Sequence, residues 1–261
     1  MNFLKRFLIT FLVLGFYFSG LAIAEASATD EYLFNTVEEI ENEVVKMEED
    51  STSSDEEKRK FLFENSNPKA LKKYIEDLMV EVENAMQDLS NDVEFNTESP
   101  LNVSKGSIKL PNGGMVKATV TDSADASTGN IMPMEYVTKG FGDRRYTATY
   151  KVYHVAYPDT TLKLVNRYNI SKSGLKMTSV GTGGTYAVFP TTVNPKSDRI
   201  TDKYAQKEGW DINGQADYVV TVGGYNGIGL VTKTYTIRST IKLVDLYSSS
   251  AYVLQKRTID K

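Results

Sequence analysis

The chain has one histidine, His154, in the run Tyr150-Lys151-Val152-Tyr153-His154-Val155-Ala156. Strand periodicity places it on one face with Tyr146, Ala148, Tyr150, Val152 and Ala156. An imidazole on a cleft wall could act as a general base, whereas one in an interior is held by a tyrosine or a carbonyl; the apolar company favours the second. One His and no Cys rule out zinc sites of the usual His and Cys kind and any Cys-His nucleophile pair. No G-x-S-x-G elbow presents a serine. Beyond Pro100 the only glutamates are Glu135 and Glu208, and neither has the apolar surroundings that a general acid for glycoside hydrolysis needs.

Asp211-Ile212-Asn213-Gly214, followed by Asp217, spaces oxygen ligands like part of a calcium loop. The third acidic position and the distal bidentate Glu are missing, and an Asx turn leading into a strand at Tyr218 accounts for the residues. The glycine clusters at 181–184 and 223–227 do not follow a strand and open a helix, so they read as hairpin turns and not as phosphate cradles. No catalytic residue, metal ligand or cofactor is assigned. A non-enzymatic protein is favoured over a hydrolase built on His154.

Charge is the stronger signal. The whole chain carries a formal −4, but residues 25–100 hold 22 Asp+Glu against 7 Lys+Arg and residues 101–261 hold 12 against 21. A near-neutral total therefore conceals an acidic part of −15 and a basic part of +9. Thirteen of the sixteen tyrosines also lie beyond Pro100. Cationic strands bearing tyrosines suit anionic polymers, through Coulombic attraction and cation–π contacts. The candidate ligand-binding residues on polar strand faces are Lys163, Arg167, Lys233, Arg238 and Lys242. The expected partner is an anionic polymer of the bacterial envelope or another protein, and nucleic acid is not favoured. The competing reading is a merely solvated face, or one neutralised by the chain's own acidic helices. Threonine-rich alternation over 230–245 raises a second class, a membrane-acting toxin or self-associating β-protein.

The elements that carry these residues divide the chain in three. Lys5 and Arg6, an apolar run over 7–18 and the small-residue patterns Ala22-Ile23-Ala24 and Ala26-Ser27-Ala28 form an export signal, with cleavage expected between Ala24 and Thr29. The mature chain is then expected to be secreted, extracellular or associated with the cell wall, without a stable membrane span. A cysteine-free exported chain resembles in style the secretion of Gram-positive bacteria. Its stability must come from apolar packing alone.

Leu33, Val37, Ile40, Val44 and Met47 recur at helical spacing, as do Leu71, Ile75, Leu78, Val82, Ala85 and Leu89 after the cap-and-proline start Asn67-Pro68. The link over 48–60 reads as loop or as a weakly formed helix start. Beyond Pro100 the period changes to two, with strands expected at 115–122, 146–157, 162–170, 175–180, 185–189, 218–222, 230–245 and 252–258, and a short helix over 198–208. The expected fold class is α+β: a signal peptide over 1–28, an acidic helical hairpin over 29–100, and a mainly antiparallel all-β domain over 101–261, a β-sandwich or open barrel.

Overall fold

Helix formation begins where the sequence satisfies its own orphan amides. In this computed structural model, which describes residues 32–91, 103–124, 136–224 and 227–260, helix α1 runs Val37–Glu49 from a capping box. Thr36 Oγ1 accepts from Glu39 N at 3.2 Å and Glu39 Oε2 accepts from Thr36 N at 3.0 Å. Helix α2, Asp55–Asn65, starts the same way, with Ser54 N donating to Glu57 Oε2 at 2.9 Å and Glu57 N to Ser54 Oγ at 3.3 Å. Asp55, Glu56 and Glu57 fill its first turn, where the helix dipole favours negative charge. Helix α3, Pro68–Asn91, opens on Asn67, whose Oδ1 accepts from Lys69 N at 3.0 Å.

The two expected helices are thus three, because the helix start weighed for the link over 48–60 becomes α2 and runs on to Asn65. The α3 stripe of Leu71, Ile75, Leu78, Val82, Ala85 and Leu89 is wholly buried. Each large side chain of that stripe contributes about 1.5–3 kcal/mol by leaving water. Leu33, expected on the α1 stripe, precedes the helix and is exposed. The expected export signal lies outside the described residues.

Residues beyond 100 form two antiparallel sheets. The first takes β1 (Val103–Lys109), β2 (Met115–Ala124), β4 (Gly142–His154), β5 (Tyr157–Ser171), β6 (Gly174–Gly181) and β9 (Tyr204–Ala205), adjacent in that order, with β7 (Tyr186–Ala187) also on β5. The second has the order β3 (Tyr136–Gly140), β12 (Ser250–Asp260), β11 (Val231–Leu246), β10 (Asp211–Val222) and β8 (Thr191–Asp202). The fold is therefore α+β and dominated by antiparallel β-structure, and Phe34–Lys261 form one compact unit.

Two local expectations are corrected. Residues 198–208 are not helical: β8, a largely exposed strand, continues to Asp202 and the short β9 follows, each at the edge of its sheet. Asp211 and Asn213 form no Asx turn leading into Tyr218, because β10 already starts at Asp211.

The interior is split by a polar waist. One apolar cluster joins the three helices to Val116, Tyr150, Leu162, Tyr218 and Ile237; the other joins Tyr146, Tyr168 and Ile170 to Ile212, Ile241 and Leu243. Between them Asn166 on β5, 0 % exposed, donates through Nδ2 to Ser239 Oγ on β11. Gly214 on β10 lies beneath, and a Cβ there would stand 2.4 Å from Asn166 Oδ1.

At the far end, Asp122 is buried among donors from both sheets. Arg144 Nε lies at 3.3 Å and Tyr168 OH at 2.8 Å, while Lys139 Nζ reaches across from β3 at 3.2 Å and Gln255 Nε2 from β12. Burial, followed by the Arg144 charge, pulls the Lys139 ammonium below its ordinary pKa against the attraction of Asp122.

Gly214→Ala is expected to destabilise the protein by about 1–3 kcal/mol through overpacking alone. Adding Asn166→Ala should recover part of that loss in urea denaturation, and additive losses would disprove the contact. Asp122→Asn should cost about 3–5 kcal/mol, because Lys139 and Arg144 would remain buried without their anion; a denaturation midpoint close to that of the wild type would contradict this role.

Candidate anion-binding face

In an antiparallel pair, residues in register share a face, so the pairing of β1, β2, β4 and β5 fixes which side chains stand together. One row pairs Lys117 with Lys151, flanked by Ser107 and Thr161. The next reads Lys105, Thr119, Thr149, Lys163. A hydroxyl row of Thr121 and Thr147 follows, and then Arg145 opposite Arg167. Neighbouring strands are about 4.8 Å apart and alternate residues about 6.6 Å apart along a strand.

The residues that alternate with these, Val116, Ala118, Ala148, Tyr150, Leu162 and Leu164, are buried, so the rows form the outer face of the first sheet. With Lys109, the described residues of β1, β2, β4 and β5 place seven cations on this face, and the carboxylates beside them are Asp143 and Asp159. Asp143 accepts from Asn169 Nδ2 at 2.8 Å. Burial, and then repulsion by Asp55, raise the Asp159 carboxyl, while Arg59 and Lys151 act against this. Lys117 Nζ sits 4.9 Å from the Tyr153 ring centroid, a cation–π contact. Among the described residues, Lys105, Lys109, Lys117, Lys151, Lys163 and Arg167 lack an ion-pair partner within 4.0 Å.

The outer face of the second sheet has a different charge balance. Arg199 Nη1 donates to Asp217 Oδ2 at 2.9 Å, Arg238 Nη2 lies 3.6 Å from Asp260 Oδ2 and donates to Gln215 Oε1 at 3.2 Å, and Lys242 is in register with Asp211. Asp217 is partly buried, which pushes its pKa up, but hydrogen bonds from Ser197, Gln215 and Thr236 and the Arg199 charge prevail and hold it at about 2. Cations and carboxylates on this face neutralise one another.

The five candidate cations are therefore not brought together. Lys163 and Arg167 stand on the first sheet's outer face, while Arg238 and Lys242 stand on the charge-balanced face of the second. Lys233 stands on neither. It has the inward parity of Tyr235 and Ile237, and its Nζ reaches Glu83 Oε2 of α3 at 2.5 Å and Met79 O at 3.4 Å. Sequence reasoning passed over Lys105, Lys109, Arg145 and Lys151 as site residues. The alternation of Lys117, Thr119 and Thr121 was visible, but which strands lie beside it was not.

Comparisons with protein-family models, curated proteins and solved structures find no match to this chain.

Two other places could hold chemistry. A cleft of about 400 Å³ lies between α2 and the segment Val188-Phe189-Pro190, with Asp55, Arg59, Phe63 and Asp159 in its lining. Arg59 Nε is committed to Val155 O at 3.2 Å, and burial lowers its guanidinium pKa. The cleft contains no histidine or thiol. Among the described residues no group of three or more His, Cys, Asp or Glu side chains is placed to hold a metal ion.

His154 faces the interior and is 5 % exposed. Its Nδ1 accepts from Ala156 N at 3.1 Å, which leaves the proton on Nε2, 3.4 Å from Tyr74 OH. The turn that follows is pinned to the helices, with Val155 N donating to Glu48 Oε1 at 3.1 Å. Burial lowers the imidazole pKa to about 4.

The unfolded chain binds a proton at this histidine below about 6.5, whereas the folded chain does not until about 4. Its contribution is complete above the unfolded value and disappears as pH falls from 6.5 towards 4, a loss on the order of 3 kcal/mol. Urea denaturation at both ends of this window should show the loss in the wild type and a flatter acid limb in His154→Gln; parallel acid limbs would show that His154 is not held neutral.

Proposed function

We propose that this chain is an exported, non-enzymatic binding protein of the bacterial cell envelope, which holds anionic polymers on the outer face of its first sheet. In this reading the sheets form a β-sandwich and the acidic helices close one end of it. The observation that carries the proposal is the like-charge register of Lys117 with Lys151, with Lys105 and Lys163 in the neighbouring row. Such a cross-strand pair costs up to about 1 kcal/mol relative to a neutral pair. A fold that needed only solubility would interleave its charges, as the second sheet does.

A polyanion reverses the sign of that cost. Its phosphates, sulfates or carboxylates sit between paired cations and release condensed counterions, so affinity falls steeply with salt. The helices do not compete for the face. Glu83 of α3 pairs with Lys233 on the inner side, and α3 packs against the buried stripe. Export fits the absence of cysteine, and no described helix is long and apolar enough to cross a membrane.

The double reversal Lys117→Glu with Lys151→Glu is expected to weaken binding to polyphosphate and to isolated cell walls about tenfold or more and to flatten its dependence on salt. Arg238→Glu with Lys242→Glu should leave both nearly unchanged. Retention that ignores salt, or that depends equally on the two faces, would remove the proposal.

A further inference from the structure

The cationic face continues past β5 and changes character at its edge. Asn169 is in register with Lys176 on β6, and Lys176 with Tyr204 on β9, so the last row reads Asp143, Asn169, Lys176, Tyr204. The Tyr204 ring is 47 % exposed, with Lys203 Nζ 5.7 Å and Lys176 Nζ 6.0 Å from its centroid. Six residues on, Trp210 is 50 % exposed with Lys207 Nζ 5.4 Å from its ring.

This segment is anchored at several points. Met177 N donates to Lys203 O at 2.8 Å, Trp210 N to Lys207 O at 3.1 Å, Gly209 N to Leu243 O and Leu243 N to Trp210 O, each at 2.8 Å. The two large rings are therefore presented to solvent by backbone tied to both sheets.

Rings that each carry an ammonium within 6.0 Å suit one kind of partner better than others. Inserting them into an acyl layer would draw the ammonium groups towards hydrocarbon, at a cost of several kcal/mol. A simple polyphosphate has nothing to lay on a ring. A sugar has an apolar face of C–H bonds that stacks on an aromatic ring, a rim of hydroxyls, and in acidic glycans a charged substituent within reach of the ammonium. The ground between the cation rows matches such a rim, because Thr119, Thr121 and Thr149 offer hydroxyls that both donate and accept.

Resting on the polyanion reading above, we infer that the bound polymer is an anionic glycan, with its charged groups on the cation rows and sugar rings stacked on Tyr204 and Trp210.

The test uses the mature chain with four probes: polygalacturonate, polyphosphate, oligothymidylate and vesicles of anionic phospholipid. Tyr204→Ala and Trp210→Ala should each weaken polygalacturonate binding about fivefold to tenfold, in line with the loss of one stacked ring. Polyphosphate binding should stay within about twofold, since counterion release needs no ring. Tyr204→Phe should retain glycan affinity, and unchanged denaturation midpoints establish that the variants fold.

If ring removal weakens polyphosphate equally, or leaves polygalacturonate untouched, the glycan inference fails while the polyanion reading stands. A larger loss for oligothymidylate or for vesicles would reassign the rings to nucleic acid or to a membrane surface, and would also overturn the inference. If Lys117→Glu with Lys151→Glu affects none of the four probes, the underlying reading itself fails.

Discussion

The close approach of the two sheets at Asn166, Gly214 and Ser239 constrains everything built around it. A buried donor without a partner costs on the order of 1–3 kcal/mol, so the Asn166 Nδ2 group needs Ser239 Oγ, and Gly214 leaves room for the amide because it has no Cβ in the way. Sliding β5 by two residues would put Asn166 among leucines or beside Tyr168. Sliding it by one would turn its apolar side to water. The Asn166 contact, with Tyr218 OH on Lys163 O and the Asp122 cluster, ties together sheets that share no backbone ladder, and it separates a large apolar cluster that includes the helices from a smaller one.

With register fixed, charge sorts itself by surface. The helices bury their apolar stripes against inner-face residues of both sheets. They are held there by polar contacts to backbone: Arg257 donates to Leu89 O near the end of α3 at 2.7 Å, and Glu48 and Arg59 grip the two sides of Val155. Most of their carboxylates face solvent. The second sheet interleaves its cations with carboxylates, and the first sheet sets Lys117 directly against Lys151. The acidic and basic parts of the chain are therefore joined through apolar packing, and attraction between them plays a small part.

Much of this was legible in the amino-acid order, and the failures have physical reasons. The α3 stripe and its Asn67-Pro68 start were plain, because six apolar positions repeat at helical spacing. Helix α2 was legible only as loop or a weakly formed helix start, although Ser54 and Glu57 spell a capping box; its serine-rich approach and charged surface carry too weak an apolar stripe to stand out. Strand β8 was read as a helix around 198–208 because an edge strand solvated on both faces loses its alternation of two. Lys233 was taken for a surface cation, yet parity places it inward, where its long stem follows apolar surface to reach Glu83. The choice of binding residues pooled two sheets, since strand neighbours are set by contacts remote in sequence. His154 was read correctly as facing the apolar side of its strand, and the structure supplies its two partners.

The opposed cations of the first sheet have one more consequence, for the resting molecule. Lys117 and Lys151 repel across a single strand spacing. Mobile ions screen that repulsion over about 8–10 Å at moderate ionic strength. Added electrolyte therefore relieves the folded state while it competes with any bound polyanion, and one row of side chains produces both responses. Salt would act in opposite directions on this row of side chains and on the polyanion proposed to bind it.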